Sequence, residues 1–431
     1  MSSPRRFGTW AATAMVVTQV VGVGIFLTPA TMMRTVGSLE AALAVWFVMG
    51  LLSAAGALTY AELSTRFPKA GGAYVFLREA FGSRTAFIHG WMTMLVVDPG
   101  VTAALGIGLA QYAIVAFGGS SDLVAPTALA AIVFFGVLAV MGVNVNAHVM
   151  RWTAAAKLTI VAVLVVTAIA RAGSSDLRVE AIGVPPAQAV AISLIAAFFA
   201  FGGWWEFGRM AEDVAAPRQT MPRALVGGIV LVTAIYAFAS IAYMLGSTGP
   251  MPATDEAFVS QVGANLFGAA GGRLLAAMVV VAVSGSLAAT LLGAPRLYVA
   301  MARDGLFPER LARVNEKRGS VPASTLVQVT LASMLVVLGT FNEILGYFVP
   351  CAVFFLGLSA SAILFLPRPH GDRDIFQTPL YPLPIVFFLG LIVVLLALFA
   401  IGQPKQTALG AIVVALGIPV AWFVTAREKR R

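Results

Sequence analysis

Apolar residues run through this chain in twelve long blocks, each bounded by charged residues or by Pro and Gly. The blocks fall near residues 8–34, 38–64, 84–118, 123–142, 152–170, 188–212, 223–245, 271–302, 322–339, 342–366, 381–401 and 406–425. Each has about the 20 residues that a bilayer-spanning helix requires, or more. The pattern predicts an all-α polytopic membrane protein with 12 transmembrane helices. Residues 1–425 form a single transmembrane domain, and 426–431 a basic tail.

Composition removes other classes. Of the 431 residues, 59% are hydrophobic and 11% charged, against roughly 45–50% and 25% in soluble proteins. Twelve spans consume roughly 240 residues, which leaves loops and tails but no soluble catalytic domain. The net charge of +9 comes from basic residues spread over the segments between blocks, so no nucleic-acid surface is expected. The single cysteine, Cys351, lies inside an apolar block, which excludes an intrachain disulfide and a thiolate metal site. His89, His148 and His370 stand far apart, so no metal and no cofactor are expected. Arg5 and Arg6 precede the first block as in a signal peptide, but the block continues past Gly24 without a small-residue cleavage pattern and reads as the first span.

Charge also sets orientation. With the N-terminus inside, 21 Lys and Arg fall on the inner side. Five fall outside: Arg34, Arg171, Arg178, Arg273 and Lys405. The positive-inside rule therefore places both termini in the cytoplasm, for a multi-pass protein of the cytoplasmic (inner) membrane. The longest outer segment, Gly246–Gly272, is too apolar for a free domain, and Arg303–Ser320, with eight charged residues, reads as a loop facing lipid headgroups.

Two blocks are interrupted mid-span. The first carries Gly22-Val23-Gly24-Ile25-Phe26 followed by Pro29, and the sixth carries Phe201-Gly202-Gly203-Trp204-Trp205. Glycine pairs serve close helix packing when taken singly. Here they occupy the first helix of two successive five-helix sets, as discontinuous helices do in inverted-repeat transporters. An unwound turn frees N–H groups at one half-helix N-terminus, suited to a carboxylate, and C=O groups at the other half's C-terminus, suited to an ammonium. A zwitterionic amino acid carries both. Three of the charges within blocks are candidates for a role. Lys157 is either a snorkelling lysine or a functional ammonium. Glu206 is a functional candidate that can also pair with Arg209 at i+3. Asp98, before Pro99, reads as the partner of a neighbour in the bundle.

The motifs resemble the amino acid–polyamine–organocation superfamily, nearest its bacterial L-type amino acid transporter branch. V-G-V-G-I-F-L-T-P in the first block resembles that family's G-S-G-I-F, with Val23 in place of Ser. A-E-L-S-T-R-F-P-K-A-G-G-A-Y-V-F-L-R-E-A-F-G, Ala61 to Gly82, resembles the stretch after its second helix. Phe199 to Pro222 resembles F-A-Y-G-G-W-N followed by paired acids (Glu212 and Asp213) and prolines (Pro217 and Pro222), with Trp205 replacing Asn or Asp. R-L-Y-V-A-M-A-R-D-G-L-F-P from Arg296 and T-A-A-A-K-L-T around Lys157 are further matches, within a resemblance that runs from about residue 8 to 366.

The resemblance implies a LeuT-like 5+5 inverted repeat, about 8–170 and about 188–366, plus two peripheral helices at about 381–425, with helices 1 and 6 unwound. It implies a carboxylate site at Val23, Gly24 and Ile25, and an ammonium site at the carbonyls of Thr18, Gln19 and Phe199. Gly22, Ala200, Phe201, Gly202 and Trp204 complete that set, and Phe199 is its aromatic gate. It also implies that Lys157 ties helix 5 to helices 1 and 8 with Ser284 or Ser286 as partner, and that Tyr236 closes the site from below. Eukaryotic L-type members join a heavy chain through a cysteine between helices 3 and 4; F-G-G-S-S-D-L in this chain has none, so no such partner is expected.

The expected function is secondary transport of neutral amino acids by exchange, with proton symport and cationic amino acid or polyamine transport as alternatives. An enzyme is disfavoured: G-x-S-x-G, H-E-x-x-H and a P-loop are absent from the sequence, and of the histidines only His89 falls in a block. A channel built on repeated charged or carbonyl rings does not match two breaks at one depth.

Overall fold

The computed structural model describes residues 8–22, 24–68, 71–170, 183, 185–247, 255–268, 270–339, 341–367 and 375–428. Helix α1 (Thr9–Val20) stops at Val21, whose ψ of 81° leaves the helical region. The chain resumes as the short α2 (Gly24–Leu27) and α3 (Pro29–Val36), with Pro29 in the first turn, where its missing N–H costs nothing. Gly37, at φ 76°, caps α3 in the left-handed region, and Ser38 accepts from Ala41 N to start α4 (Leu39–Arg66).

The next helix begins earlier than the hydrophobic pattern places it. α5 (Ala73–Met92) starts eleven residues before position 84, because Tyr74, Val75, Phe76 and Leu77 are buried although Arg78 and Glu79 interrupt the apolar run. Gly82, at φ 84° and ψ 174°, kinks it there. Five π-helical residues, Thr93–Val97, join it to α6 (Asp98–Phe117). α7 (Val124–Met141) and α8 (Val143–Ala170) follow, and α8 also starts earlier than the pattern suggests. Lys157 is therefore mid-helix rather than one snorkel's reach from its end.

α9 (Pro186–Ala200) ends in a turn at residues 201–203, and a ten-residue 3-10 helix, Trp204–Asp213, continues it. α10 (Pro217–Leu245), α11 (Asp255–Phe267), α12 (Gly271–Gly293) and α13 (Pro295–Arg303) come next. α11 occupies the segment read only as a long outer stretch, burying Phe258, Val259, Val262 and Leu266 against α12. α14 (Pro322–Leu338), α15 (Phe341–Phe365), α16 (Leu383–Gly402) and α17 (Pro404–Glu428) complete the chain.

Among the described residues, nine helical stretches are long and apolar enough to cross a membrane. Two shorter apolar helices, Ala155–Thr167 and Pro322–Leu338, accompany them. α16 and α17 turn Val386, Phe387, Val393, Leu409, Ile412 and Phe423 outward, as expected of a surface solvated by lipid rather than water.

α4 packs along α10, which also carries α1, while α12 packs between α6 and α8. Glycines permit the close approaches: a Cβ on Gly228 would lie 2.5 Å from Val16. At the end of α4, buried Glu62 pairs with Arg66 and accepts from Thr378 N at 2.7 Å, while Thr65 accepts from Phe376 N at 3.1 Å. These bonds fix the approach to α16, whose Phe388 then fits against Gly56 and the Trp204 ring. α17 instead lies on α5, where Trp91 donates to Val413 O at 3.0 Å and the Arg84 guanidinium sits 3.8 Å above Trp422.

Candidate substrate site

The two interruptions meet. A Cβ on Gly24 would fall 2.6 Å from Ala200 Cα, so α2 begins directly on the last residue of α9. One on Gly203, itself at φ 110°, would lie 3.0 Å from Gln19 O. Only glycine allows either contact: the first for lack of space, the second also for its backbone angle. The Tyr236 hydroxyl, on α10, shares its one proton between Val20 O (3.0 Å) and Ala200 O (2.7 Å), so one side chain ties together the C-terminal carbonyls of both broken helices, Val20 O also accepting from Gly22 N at 2.7 Å. Trp46 and Phe201 pack against its ring, and Trp46 Nε1 is held by Ser240 Oγ at 2.9 Å.

Around this seam, the carbonyls of Thr18 and Gln19 lie in the last turn of α1, beyond the reach of intrahelical N–H groups. The Thr18 hydroxyl is bonded to its own helix at Ala14 O (2.7 Å), so only the backbone of Thr18 is presented. Val23 lies outside the described residues. Gly24, Ile25 and Phe26 open α2, and Ile25 and Phe26 are buried. Tyr112 on α6 donates to Phe26 O at 2.7 Å and pins α2 from the other side. Phe199 ends α9 beside Ala200 and is partly buried; Phe201 and Trp204 are almost wholly buried, and Gly202 N is bonded to Phe199 O at 3.1 Å. The site therefore has carbonyls at one end, N–H groups at the other, and apolar walls.

Lys157 is 3% exposed and donates to Ser286 Oγ at 2.7 Å. A Cβ on Gly22 would contact the same oxygen at 3.4 Å, so α8, α12 and the α1 break converge on Ser286. Ser284 turns instead to its own backbone, donating to Val280 O at 2.8 Å. Glu206 pairs with Arg209 at 2.6 Å, at i+3 within the 3-10 helix. Asp98, whose partner the sequence does not name, accepts from the Tyr298 hydroxyl of α13 at 2.8 Å. Tyr298, Tyr112 and Trp46 carry no local signal of these roles, since their partners lie 86 to 200 residues away.

Comparison with known proteins follows the same lines. A family profile described as amino acid permease matches residues 7–424. The chain is 26% identical to the serine/threonine exchanger SteT of Bacillus subtilis, over 98% of each chain. It is 25% identical to the human cystine/glutamate transporter, over 97% of this chain and 84% of that one. It is 27% identical to the mouse large neutral amino acids transporter small subunit 2, over 96% and 80%. These relatives are transporters and not enzymes. With a profile match over nearly its whole length and two broken helices joined at one tyrosine, the chain belongs to the amino acid permease family of the amino acid–polyamine–organocation superfamily, near its L-type branch.

Proposed function

We propose that the protein is a secondary transporter that exchanges neutral L-amino acids across the cytoplasmic membrane by alternating access, with both termini inside. The observation that carries this reading is the Tyr236 hydroxyl on Val20 O and Ala200 O, which holds the C-terminal ends of both broken helices at one point among apolar helices. Partial negative charge at the α1 carbonyls suits the ammonium of a substrate, and partial positive charge at the α2 N–H groups suits its carboxylate. The two breaks head repeats of residues 8–170 and 188–366 in a twelve-span, LeuT-like arrangement, with α16 and α17 peripheral.

Neutral substrates are favoured because the candidate counter-charge is occupied: Glu206 is held by Arg209, and Ile25, Phe26, Phe201 and Trp204 offer no other to a cationic side chain. The exchanger among the relatives supports exchange, with Lys157 as a fixed cation on Ser286. Proton symport is the second reading. It is favoured by the setting of Lys157, whose described partner is a neutral hydroxyl rather than a carboxylate. The loop Gly118–Leu123 contains no cysteine for a disulfide-linked partner.

Uptake of labelled amino acids into proteoliposomes tests this. Accumulation only into vesicles preloaded with unlabelled amino acid, unaffected by a proton gradient, is the expected result. Gradient-driven accumulation into empty vesicles selects symport, and no accumulation of any amino acid refutes the substrate assignment.

A further inference from the structure

α6, α7 and α14 pack against one another. Where α6 and α14 finish and α7 begins, they part around an open cleft of about 380 Å³. Ile107 of α6 and Val336 of α14, both buried, give it an apolar floor. Its polar groups are Gln111 of α6 and Ser121 and Asp122 of the turn before α7. Gln111 Oε1 is buried without a hydrogen-bond partner, a cost that a bound donor recovers. The Asp122 carboxylate has no hydrogen bond or ion pair among the described residues, and none of the residues lining the cleft is basic. A carboxylate and an amide oxygen therefore stand in one cleft with nothing donating to either.

α7 starts at the same place. Val124 and Ala125 line the cleft, and no side chain caps the helix. Val124 N is bonded to Ser121 O, which leaves the Ala125 N–H without an intrahelical partner at the positive end of the helix. Along the same helices the surface is apolar and open: α7 exposes Val133 and Val137, and α14 exposes Met334, Val337 and Leu338. The cleft thus joins a small polar site, negative on one side and positive on the other, to a face made for acyl chains.

We propose that this cleft binds a phospholipid whose headgroup ends in a primary amine, an ethanolamine phospholipid. The ammonium lies on the Asp122 carboxylate and Gln111 Oε1. The phosphate faces the Ser121 hydroxyl and the Ala125 N–H, and the acyl chains run along the exposed side chains of α7 and α14. Charge complementarity selects this occupant. A primary ammonium brings three donors to two unpaired acceptors, whereas a trimethylated one brings none. A headgroup with no cation sets its phosphate against Asp122 uncompensated. With both termini inside, as proposed above, the cleft opens to the outer leaflet. The inference does not depend on what the protein transports.

Native mass spectrometry of the full chain in detergent tests it, with dioleoyl-phosphatidylethanolamine, dioleoyl-phosphatidylcholine and dioleoyl-phosphatidylglycerol titrated separately. The wild-type chain is expected to bind its first ethanolamine lipid about tenfold more tightly than either of the others. Asp122→Asn is expected to bring the ethanolamine lipid down to the level of the choline lipid, and Asp122→Glu to keep the preference. Asp122 is exposed in a turn, so neither change disturbs packing. Gln111→Leu, which removes the buried acceptor, is expected to weaken the ethanolamine lipid and leave the choline lipid unchanged. Equal binding of the ethanolamine and choline lipids by the wild type overturns the proposal, as does a preference that survives intact in Asp122→Asn. Displacement of the bound lipid by soluble phosphoethanolamine at equal concentration identifies a site for a free amine and overturns the lipid assignment. Binding is read without transport, so a chain that moves no amino acid refutes the proposed function and leaves this test standing.

Discussion

A single hydroxyl at Tyr236 serves carbonyls 180 residues apart in sequence, Val20 and Ala200, and at Val20 it joins the Gly22 N–H, which lies 2.7 Å away. Tyr236→Phe keeps the ring's contacts with Trp46 and Phe201 and removes only the bond. It is expected to cost about 1 kcal/mol of stability and to lower exchange by about tenfold, because both helix ends lose their shared anchor. Uptake in proteoliposomes beside thermal unfolding in detergent checks this; unchanged uptake contradicts the anchoring role. At this scale the glycines of both breaks and Lys157 stand out in the sequence because intramembrane charge and mid-span glycine are rare and costly, whereas Tyr236 is pointed to only by the family resemblance. Ser286 was legible only as one of two, since the choice between it and Ser284 depends on which faces α8. Tyr298 was not legible at all: a tyrosine that serves Asp98 from 200 residues away leaves no periodic trace.

Among the elements, hydrophobic periodicity located helix interiors well and their ends poorly. α5 was placed late because Arg78 and Glu79 look like loop residues, yet both lie on a helix whose apolar face, Tyr74 to Leu77, is buried. Tyr74 and Arg78 in turn bond Asp304, just past α13, at 2.7 and 3.0 Å, so the charges that masked the helix help to anchor it. The approach to α16 shows the same economy, since Glu62 neutralises Arg66 and also receives Thr378 N. Glu62→Gln removes the charge and leaves a buried guanidinium unpaired. It is expected to destabilise the fold by about 3 kcal/mol, seen as a lowered thermal midpoint and faster proteolysis at residues 375–378. A midpoint equal to wild type contradicts a structural role for the pair.

For the molecule as a whole, composition alone made the membrane class plain, while orientation rests on the asymmetry of Lys and Arg. Single cysteines at Gly118 and Gly305, both in exposed turns beside a buried native Cys351, are expected to react with an impermeant maleimide from opposite sides: Gly118→Cys in intact cells, Gly305→Cys only after permeabilisation. The reverse labelling inverts the assigned topology. What the sequence does not disclose is the helical type beyond the second break, because 3-10 and α geometry share the same local composition. That type has a mechanical consequence. Ten residues at about 2.0 Å of rise extend roughly 20 Å, whereas the same ten at about 1.5 Å extend roughly 15 Å. Recoiling Trp204–Asp213 into an α-helix would shorten the link between the Ala200 seam and α10 by roughly 5 Å. The segment is in effect a drawn spring, whose stroke is comparable to one helical turn.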